Sequence, residues 1–385
     1  MKTAWALGGL VAIVAVILWV SRRRSWQPVF RWLPVPLWCY ALPLIAVELG
    51  GLPAEPAAYR LLTDRLLPVA LGLLLVGVDL PAIVRAGGRA VTAALIGATG
   101  IVTGAAVGIW VLQAHLPREA WKGAGALAGT WTGGTMNLLA LRSVLGIPDP
   151  LFAPLIVVDA VAAYSWMALL IAASGLQHPL NRWLRACATI GPVSPHGPER
   201  PSTSYRLHEL IASGVAALGL ASVAQVAAQH LPASSLISSS TGWTVLLVTS
   251  AALGLSLVPW VRRVGARGGI VGYPCLYVVL AATGSQARLE ALWSAPVWIA
   301  FGLLVILVHG ILLLLAGRLF RIPLGVLATA SQANIGGVVS GPLVGAVYHP
   351  SLAPVGLLLA LAGNAAGTYL GLLAASACRA VIGQP

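Results

Sequence analysis

Charged residues are scarce in this sequence, and acidic residues are scarcer than basic ones. Of 385 residues, 9% are charged, with 10 Asp plus Glu against 23 Lys plus Arg, while 58% are hydrophobic. The mean hydropathy is +0.90. Soluble domains of this length do not have such a composition. The chain is therefore predicted to be an all-α polytopic membrane protein.

The basic excess gives a formal net charge of +13. In a soluble protein this balance would suggest nucleic acid, but no basic stripe or recognition motif accompanies it. The Arg residues lie in short loops between apolar segments, as in the cytoplasmic loops of membrane proteins. We therefore expect a multi-pass protein of the inner (cytoplasmic) membrane. Its expected partner is the lipid bilayer, and we expect it to bind no nucleic acid.

Motifs of enzymes and metal centres are missing. The four Cys residues have no metal or redox spacing, and there is no His-Glu-x-x-His, Gly-x-Ser-x-Gly or phosphate-loop pattern. An intramembrane aspartyl protease needs two facing carboxylates, and Asp159 has no intramembrane mate. The sequence therefore predicts no enzyme, no organic cofactor and no transition metal.

The apolar segments form two similar halves. The pattern Pro-x-x-Ala-Pro at 150–154 recurs at 350–354, and the Gly-Gly pair at 133–134 recurs at 336–337. We predict two five-helix repeats preceded by an extra helix. The predicted boundaries are 1–32 for the extra helix and a basic loop, 33–174 for the first repeat, 175–241 for a linker, 242–376 for the second repeat and 377–385 for a C-terminal tail.

Basic loops predict the orientation of the helices. Arg residues at 22–24, 85–89, 262–267 and 318–321 place those loops inside, so the repeats are inverted, with the N-terminus outside and the C-terminus inside. This requires an even number of crossings in 175–241. We expect segment 207–228 to be interfacial or re-entrant. The alternative is a twelfth span, which the Arg residues of linker 177–206 favour.

Each repeat contains one segment of membrane-spanning length that breaks at its Gly-Gly pair, GTWTGGTMNLLAL at 129–141 and TASQANIGGVVSG at 329–341. Each Gly costs a helix about 1 kcal/mol relative to Ala. A broken backbone in lipid is tolerated only where it is buried or lines a cavity. Two breaks at matching positions indicate the binding site of a transporter. The candidate substrate-binding residues are Thr130, Thr132, Gly133, Gly134, Asn137, Ser331, Gln332, Asn334, Gly336 and Gly337.

The alternative interpretation of these glycines is close helix packing, since Gly129 and Gly133 have a small-xxx-small spacing. Among the charged residues, Asp159 lies deep in an apolar segment, where an ionisable side chain is a functional candidate by default. Its structural alternative is an ion pair with Arg142, and Arg142 itself could instead hold a substrate carboxylate. His309 could titrate near neutral pH, but a lone membrane His is more often hydrogen-bonded in packing.

The two Gly-Gly motifs, with the following AGNAAGTYLGLL, resemble the YjcL-like family of integral membrane proteins, a domain of unknown function. That family is distantly similar to a superfamily of cation/proton antiporters and anion/sodium symporters. The resemblance implies an inverted five-plus-five fold, two crossed discontinuous helices and a scaffold that often forms a homodimer. It also implies elevator-like transport, with a cation site near Asp159 and Asn364. The hydroxyl residues Thr135 and Ser340, beside the two breaks, are further candidates for cation coupling. At one position of the second motif the family usually has Asn, and this chain has Gln332.

These observations favour a secondary active transporter, a symporter of a small anionic organic solute coupled to Na⁺ or H⁺. The alternative within transport is a cation/proton antiporter that uses Asp159 as its carrier. The alternative of a different class is a non-transporting membrane scaffold or receptor.

Overall fold

The computed structural model describes residues 2–33, 35–79, 87–186, 207–232, 237 and 239–383, and over these ranges the chain forms helices and connecting turns. The first half contains α1 (Lys2–Ser21), α2 (Gln27–Trp32), α3 (Val35–Glu48), α4 (Pro56–Leu75), α5 (Gly88–Leu112), α6 (Ala120–Gly133), α7 (Thr135–Leu145), α8 (Asp149–Ala173) and α9 (Gln177–Trp183). The second half contains α10 (Leu207–Ala228), α11 (Ser240–Ser256), α12 (Pro259–Gly265), α13 (Gly269–Gly284), α14 (Ala295–Phe320), α15 (Leu324–Tyr348) and α16 (Leu352–Val381).

Several helices are long and apolar enough to cross a membrane. Six helices in the described ranges meet this condition, or up to eight if each of two bent helix pairs forms one span. Helix α10 is one of the six, with 22 residues, which is the length that the crossing alternative for 207–228 requires. Most of the linker that precedes α10, residues 187–206, lies outside the described residues.

Helix starts follow the local sequence. Helices α4 and α12 have Pro in the first turn, where the missing N–H group would have no partner in any case. Helix α11 begins after Ser239, whose hydroxyl accepts a hydrogen bond from the Gly242 N–H at 3.1 Å. Such a cap replaces one of the hydrogen bonds that the first helical turn lacks.

The chain divides into two compact units, and each unit contains helices from both halves of the sequence. The first unit comprises Met1–Gly77, Arg142–Ala160 and Arg206–Trp298. The second comprises Val78–Leu141, Val161–Tyr205 and Ile299–Pro385. The first unit thus has α1, α3 and α4 beside α10, α11 and α13. The second has α5, α6, most of α7 and the later part of α8 beside α14, α15 and α16.

Helix α13 lies at the centre of the first unit, where it packs against α1, α3 and α4. Helix α4 in turn contacts α10 and α11, which also contact each other. Arg142, at the edge of this unit, forms an ion pair with Asp149 and donates a hydrogen bond to the Thr283 hydroxyl at 2.6 Å.

Rows of glycine let helices approach closely in the second unit. On α6, methyl groups at Gly125, Gly129 and Gly133 would collide with the backbone of α16 around Gly371, Gly367 and Gly363. The two rows run in opposite directions, so the helices are antiparallel. The packing that the small-xxx-small spacing predicts for Gly129 and Gly133 is therefore present. Helices α5 and α14 meet in the same way, since a methyl group on Gly104 would lie 2.9 Å from the Val305 carbonyl oxygen.

The second Gly-Gly pair reverses the chain. Gly337 has φ 71° and ψ −154°, a conformation open to glycine but not to residues with a Cβ atom. A methyl group on Gly325 would lie 3.0 Å from the Cβ atom of Tyr348, and one on Gly341 would lie 2.9 Å from the Cα atom of Ala333. In a straight helix the 23 intervening steps would separate Gly325 from Tyr348 by about 34 Å. Helix α15 is therefore a helical hairpin with arms 324–336 and 338–348, here called the second hairpin.

The first Gly-Gly pair also reverses the direction of the chain, between α6 and α7. Gly134 has φ 77° and ψ 172°. A methyl group on Gly129 would lie only 2.1 Å from a terminal carbon of Leu141, although the two residues would be about 18 Å apart along a straight helix. Helices α6 and α7 thus fold back on each other around Gly134 and form the first hairpin.

The two hairpins confirm that the helices break at the Gly-Gly pairs, but they correct the predicted direction of the chain after each break. Each segment was expected to cross the membrane once, as one of two crossed discontinuous helices, but each returns toward the end from which it came. The physical reason is the positive φ at Gly134 and Gly337, which turns the chain by far more than a kink. The arms, of 11 to 14 residues, are about 16–21 Å long, less than the ~30 Å hydrocarbon core of a bilayer.

The second hairpin can be tested by cross-linking its base. In a cysteine-free background, the pair Gly325→Cys and Tyr348→Cys is expected to form a disulfide on mild oxidation, because the two Cβ positions lie within bonding reach. Intact mass and peptide mapping would detect the bond. The matched control is Gly325→Cys with Val338→Cys, which lies near the tip and should stay reduced. Failure of the first pair to cross-link in folded protein would contradict the reversal.

Candidate functional site

The tip of the first hairpin is closed by backbone hydrogen bonds. The Gly134 N–H donates to the Thr130 carbonyl at 2.5 Å, and the Asn137 N–H donates to the Gly134 carbonyl at 2.9 Å. Thr135 begins the returning arm and is half-buried. A methyl group on Gly134 would lie 3.4 Å from the Asn364 side-chain oxygen, so this tip rests against α16.

Asn137 fixes the first hairpin to α16. Its amide nitrogen donates to the carbonyl oxygens of Gly133 at 2.6 Å and Asn364 at 3.3 Å. Its side-chain oxygen accepts from the Thr368 hydroxyl at 2.6 Å. With these bonds the amide is engaged on both sides, which indicates a positioning role for Asn137. The hydroxyl of Thr132 is likewise engaged, with the carbonyls of Ala128 and Gly129.

The tip of the second hairpin is bridged by side chains. The Gln332 amide nitrogen on the first arm donates to the Ser340 hydroxyl on the returning arm at 3.0 Å. A methyl group on Gly336 would lie 1.9 Å from that hydroxyl and 2.1 Å from that nitrogen. Gly336 is therefore required for the space of the bridge, while Gly337 is required for the backbone turn.

A hydrogen-bonded chain holds the first arm of the second hairpin to α5. His309 is fully buried, with Nδ1 2.8 Å from the Gly97 carbonyl and Nε2 2.8 Å from the Ser331 hydroxyl. A carbonyl only accepts, so Nδ1 carries the proton and Nε2 accepts from Ser331. The Ser331 oxygen then accepts from the Trp166 indole N–H at 2.8 Å. Both ring nitrogens of a neutral His309 thus have hydrogen-bond partners. This arrangement agrees with the interpretation of His309 as a hydrogen-bonded packing residue.

Asn334 makes a second connection from the same arm. Its amide nitrogen donates to the Ala94 carbonyl of α5 at 3.0 Å. A methyl group on Gly97 would lie 2.5 Å from that nitrogen, so the glycine provides the room for the amide. Ser331 and Asn334 thus secure the hairpin to its neighbours, although the sequence interpretation assigned both to substrate binding.

Three buried polar atoms on the hairpins have no hydrogen-bond partner among the residues that the structure describes. They are the Thr130 hydroxyl and the Trp131 indole nitrogen on the first hairpin, and the Gln332 side-chain oxygen on the second. Each lies three to five residues before its tip glycine, and each residue is at most 1% exposed. A buried polar group without a partner costs about 1–3 kcal/mol, so such groups in this position indicate a ligand or water that completes them.

Each tip also brings opposite helix ends together. The C-terminal end of the first arm presents carbonyl groups, and the N-terminal end of the returning arm presents N–H groups. The first carries partial negative charge and the second partial positive charge. One tip therefore offers groups suited to a cation and groups suited to an anion, without a charged side chain in 129–141 or 329–341.

Asp159 lies in the first unit, two residues before Val161, where α8 enters the second unit, and its side chain is half-buried. The proposed pairing with Arg142 is wrong. Arg142 pairs with Asp149 instead, and its guanidinium lies over the Phe152 ring at 4.8 Å. Because that guanidinium is held by Asp149 and Thr283, its use as a carboxylate clamp has no support.

Sequence reasoning missed Trp131, Trp166 and Thr368. Trp131 belongs to the first Gly-Gly motif itself, where the hydroxyl and amide residues drew attention instead. Thr368 follows Asn364 by one helical turn, a spacing that could have linked them. Nothing in the local sequence of Trp166 indicates its hydrogen bond to Ser331. In the described part of the chain, no group of three or more His, Cys, Asp or Glu side chains could hold a metal ion.

The number of apolar helices and their mutual packing define a multi-pass integral membrane protein. The chain belongs to the family described as protein of unknown function DUF819, whose model matches residues 8–381. It is also similar to the uncharacterized membrane protein YjcL of Bacillus subtilis (strain 168), with 25% identity over 156 residues. That alignment covers 40% of this chain and spans 38% of the relative's length. The resemblance to the YjcL-like family is thereby confirmed.

The role of Asn137 predicts a stability effect. Replacing Asn137 with Leu should lower the free energy of unfolding by roughly 2–4 kcal/mol, because two carbonyls and the Thr368 hydroxyl lose a buried partner. Thermal unfolding in detergent would show a lower midpoint. Thr368→Val combined with Asn137→Leu should cost less than the sum of the two single changes.

The matched control is Ser376→Ala on the same helix. The Ser376 hydroxyl bonds only to Leu372 of its own helix, so this change should alter stability little. Equal effects of Asn137→Leu and Ser376→Ala would contradict the anchoring role.

Proposed function

We propose that this protein is a secondary active transporter, a symporter that couples a small anionic organic solute to Na⁺ or H⁺. The observation that carries the proposal is the group of unpartnered buried atoms on Thr130, Trp131 and Gln332 beside the two hairpin tips. The indole N–H is a donor for an anionic solute. The Gln332 oxygen is a ligand for a cation. The paired helix ends at each tip add the same two kinds of group.

Helical hairpins that end part-way through the bilayer also fit alternating access, because a tip at that depth can be opened to either side. In this proposal the unit that holds both hairpins carries the solute in an elevator-like movement. Asn364 and Thr135 adjoin the first tip, and Ser340 adjoins the second, so these residues are the candidates for cation coupling. A homodimer formed through the other unit belongs to the same proposal.

The hairpins lead to a revised topology, which we propose in place of the expected one. If neither hairpin crosses, α5 ends outside, the first hairpin enters from outside, and α8 returns to the inside. The linker with Arg182 and Arg185 is then cytoplasmic, as positive charge requires. Helix α10 crosses outward and α11 crosses back to the basic loop at 262–267. Helix α14 ends inside at Arg318, and the second hairpin enters from inside.

This topology keeps the basic loops at 22–24, 85–89, 262–267 and 318–321 inside. It also places the linker Arg residues inside, which conflicted with a non-crossing 207–228. It has ten crossing helices and two re-entrant hairpins, with both termini outside. It also extends the inverted repeat, because each helix of the first half then has a counterpart of opposite orientation in the second half. The corresponding elements are α1 and α10, α3 and α11, α4 and α13, α5 and α14, the two hairpins, and α8 and α16. The contacts α1–α13 and α10–α4 in the first unit are equivalent under this exchange.

Thiol labelling tests the topology. In a cysteine-free background, His115→Cys should react with a membrane-impermeant maleimide from outside. His178→Cys should react only after the membrane is opened, because the first hairpin does not cross. Both positions are exposed. Labelling of His178→Cys from outside in intact cells would contradict the re-entrant assignment.

Ligand binding tests the function. The purified chain would be heated with a panel of mono- and dicarboxylic acids, and with neutral sugars for comparison, in NaCl or KCl at several pH values. We expect at least one carboxylic acid to raise the unfolding temperature, more in NaCl or at low pH. Gln332→Leu should abolish this shift and lower uptake into liposomes at least tenfold, while Thr249→Val, a buried change in the first unit, should not.

The antiporter alternative predicts a different result. It gives the carrier role to Asp159, so Asp159→Asn should abolish pH-dependent cation flux without any organic solute. Full sodium- and pH-dependent flux of Asp159→Asn in liposomes would exclude that role. The scaffold or receptor alternative is favoured if no solute and no ion changes the unfolding temperature.

A further inference from the structure

An apolar cleft in the first unit lies outside the hairpin site. It has a volume of about 200 Å³ and is formed by α4, α10, α11 and α12. Its walls include Leu73, Val76, Leu255, Val261 and Val264. Ser213 contributes the one hydroxyl of the lining, and that hydroxyl already donates to the Val264 and Glu209 carbonyls. The cleft therefore offers an apolar surface with no free polar group from Ser213.

The short helix α12 forms one wall and carries positive charge. It bends by 118° from α11, so it does not continue that helix across the membrane. Gly265 at its end meets the backbone of Gly77, where a methyl group would lie 2.7 Å from the Gly77 nitrogen. Trp260, which lines the cleft, is 65% exposed, as expected for an aromatic ring at a membrane interface.

Arg262 and Arg263 follow Trp260 and Val261 on this helix. Arg263 is exposed, and its Nε donates to the Pro259 carbonyl at 3.3 Å. This leaves both terminal guanidinium nitrogens to bind an anion. Arg267, the next basic residue, is neutralised by Glu209 at 2.9 Å. Arg262 donates to the Ser256 carbonyl at 3.3 Å, so Arg263 is the exposed positive charge that α12 places beside the cleft.

We propose that this cleft binds an anionic phospholipid, with an acyl chain between α4, α10 and α12 and the phosphate headgroup on Arg263. The apolar lining fits the chain, and the adjacent guanidinium group of Arg263 fits the headgroup. The basic loop places the cleft at the cytoplasmic face, which is where basic pockets bind anionic lipids. This inference does not depend on transport.

Native mass spectrometry tests the proposal. The full-length chain, stripped of lipid in detergent, would be titrated with phosphatidylglycerol or with phosphatidylcholine of the same acyl chains. We expect phosphatidylglycerol to bind more tightly, by about fivefold for each Arg that contacts the headgroup. Arg263→Gln should reduce that preference, and Ala216→Phe, which fills the cleft, should weaken binding of both lipids.

Arg24→Gln is the matched control, because Arg24 is an exposed basic residue of another loop. It should leave the lipid preference unchanged. The proposal is overturned if Arg263→Gln keeps the wild-type preference, or if Arg24→Gln reduces it as much. Because Arg263 is exposed, Arg263→Gln should leave the fold intact. It therefore tests the headgroup contact even if Ala216→Phe destabilises the protein and lowers its unfolding temperature.

Discussion

A helical chain that reverses its direction has to satisfy the backbone groups that the turn interrupts, and the second unit depends on this constraint. The turn at Gly134 interrupts the regular hydrogen bonds of a helix among buried residues, where unpaired backbone groups are costly. Close approach to α16 solves the problem, because the glycine rows of α6 and α16 bring the two backbones into contact. Asn137 then donates to the buried carbonyls of Gly133 and Asn364. The glycines of the motif thus have two separate tasks, packing at Gly133 and reversal at Gly134.

The two tasks of glycine, packing and reversal, also explain which features of the fold could be predicted from the sequence. The positions of both breaks followed from the Gly-Gly pairs, since glycine is unfavourable in a helix interior and favourable at positive φ. The direction after the break did not follow, because a kinked helix and a hairpin have the same composition and the same hydrophobic length. Contacts such as Gly325 with Tyr348 join residues far apart in sequence, and no local pattern encodes them. In the topology proposed above, segment 207–228 crosses the membrane because neither hairpin does.

The site residues show a similar limit. Polar residues near the breaks could be selected as candidates from the sequence, because polar residues are rare in apolar segments. Their individual roles depended on partners from other helices. Asn137, Ser331 and Asn334 proved to be joined to α16, α14 and α5. The Gln332 nitrogen donates to Ser340, while among the described residues no donor reaches its side-chain oxygen. The hydrogen-bond partner of each polar side chain can be identified only from the three-dimensional structure. The residue types that form such a site can be recognised in the sequence.

The two tips are equivalent in sequence but differ in their surroundings. A methyl group at Gly134 would approach Asn364, whereas one at Gly337 would have no neighbouring atom within 4 Å. At the first tip the surrounding side chains are already fixed by packing, so a change in size there disturbs α16. At the second tip the free space is confined to Gly337, since a methyl group on the adjacent Gly336 would overlap the Ser340 hydroxyl and the Gln332 amide. A side chain is therefore excluded at Gly336 by the hydrogen-bonded bridge, and at Gly337 by the positive φ of the backbone alone.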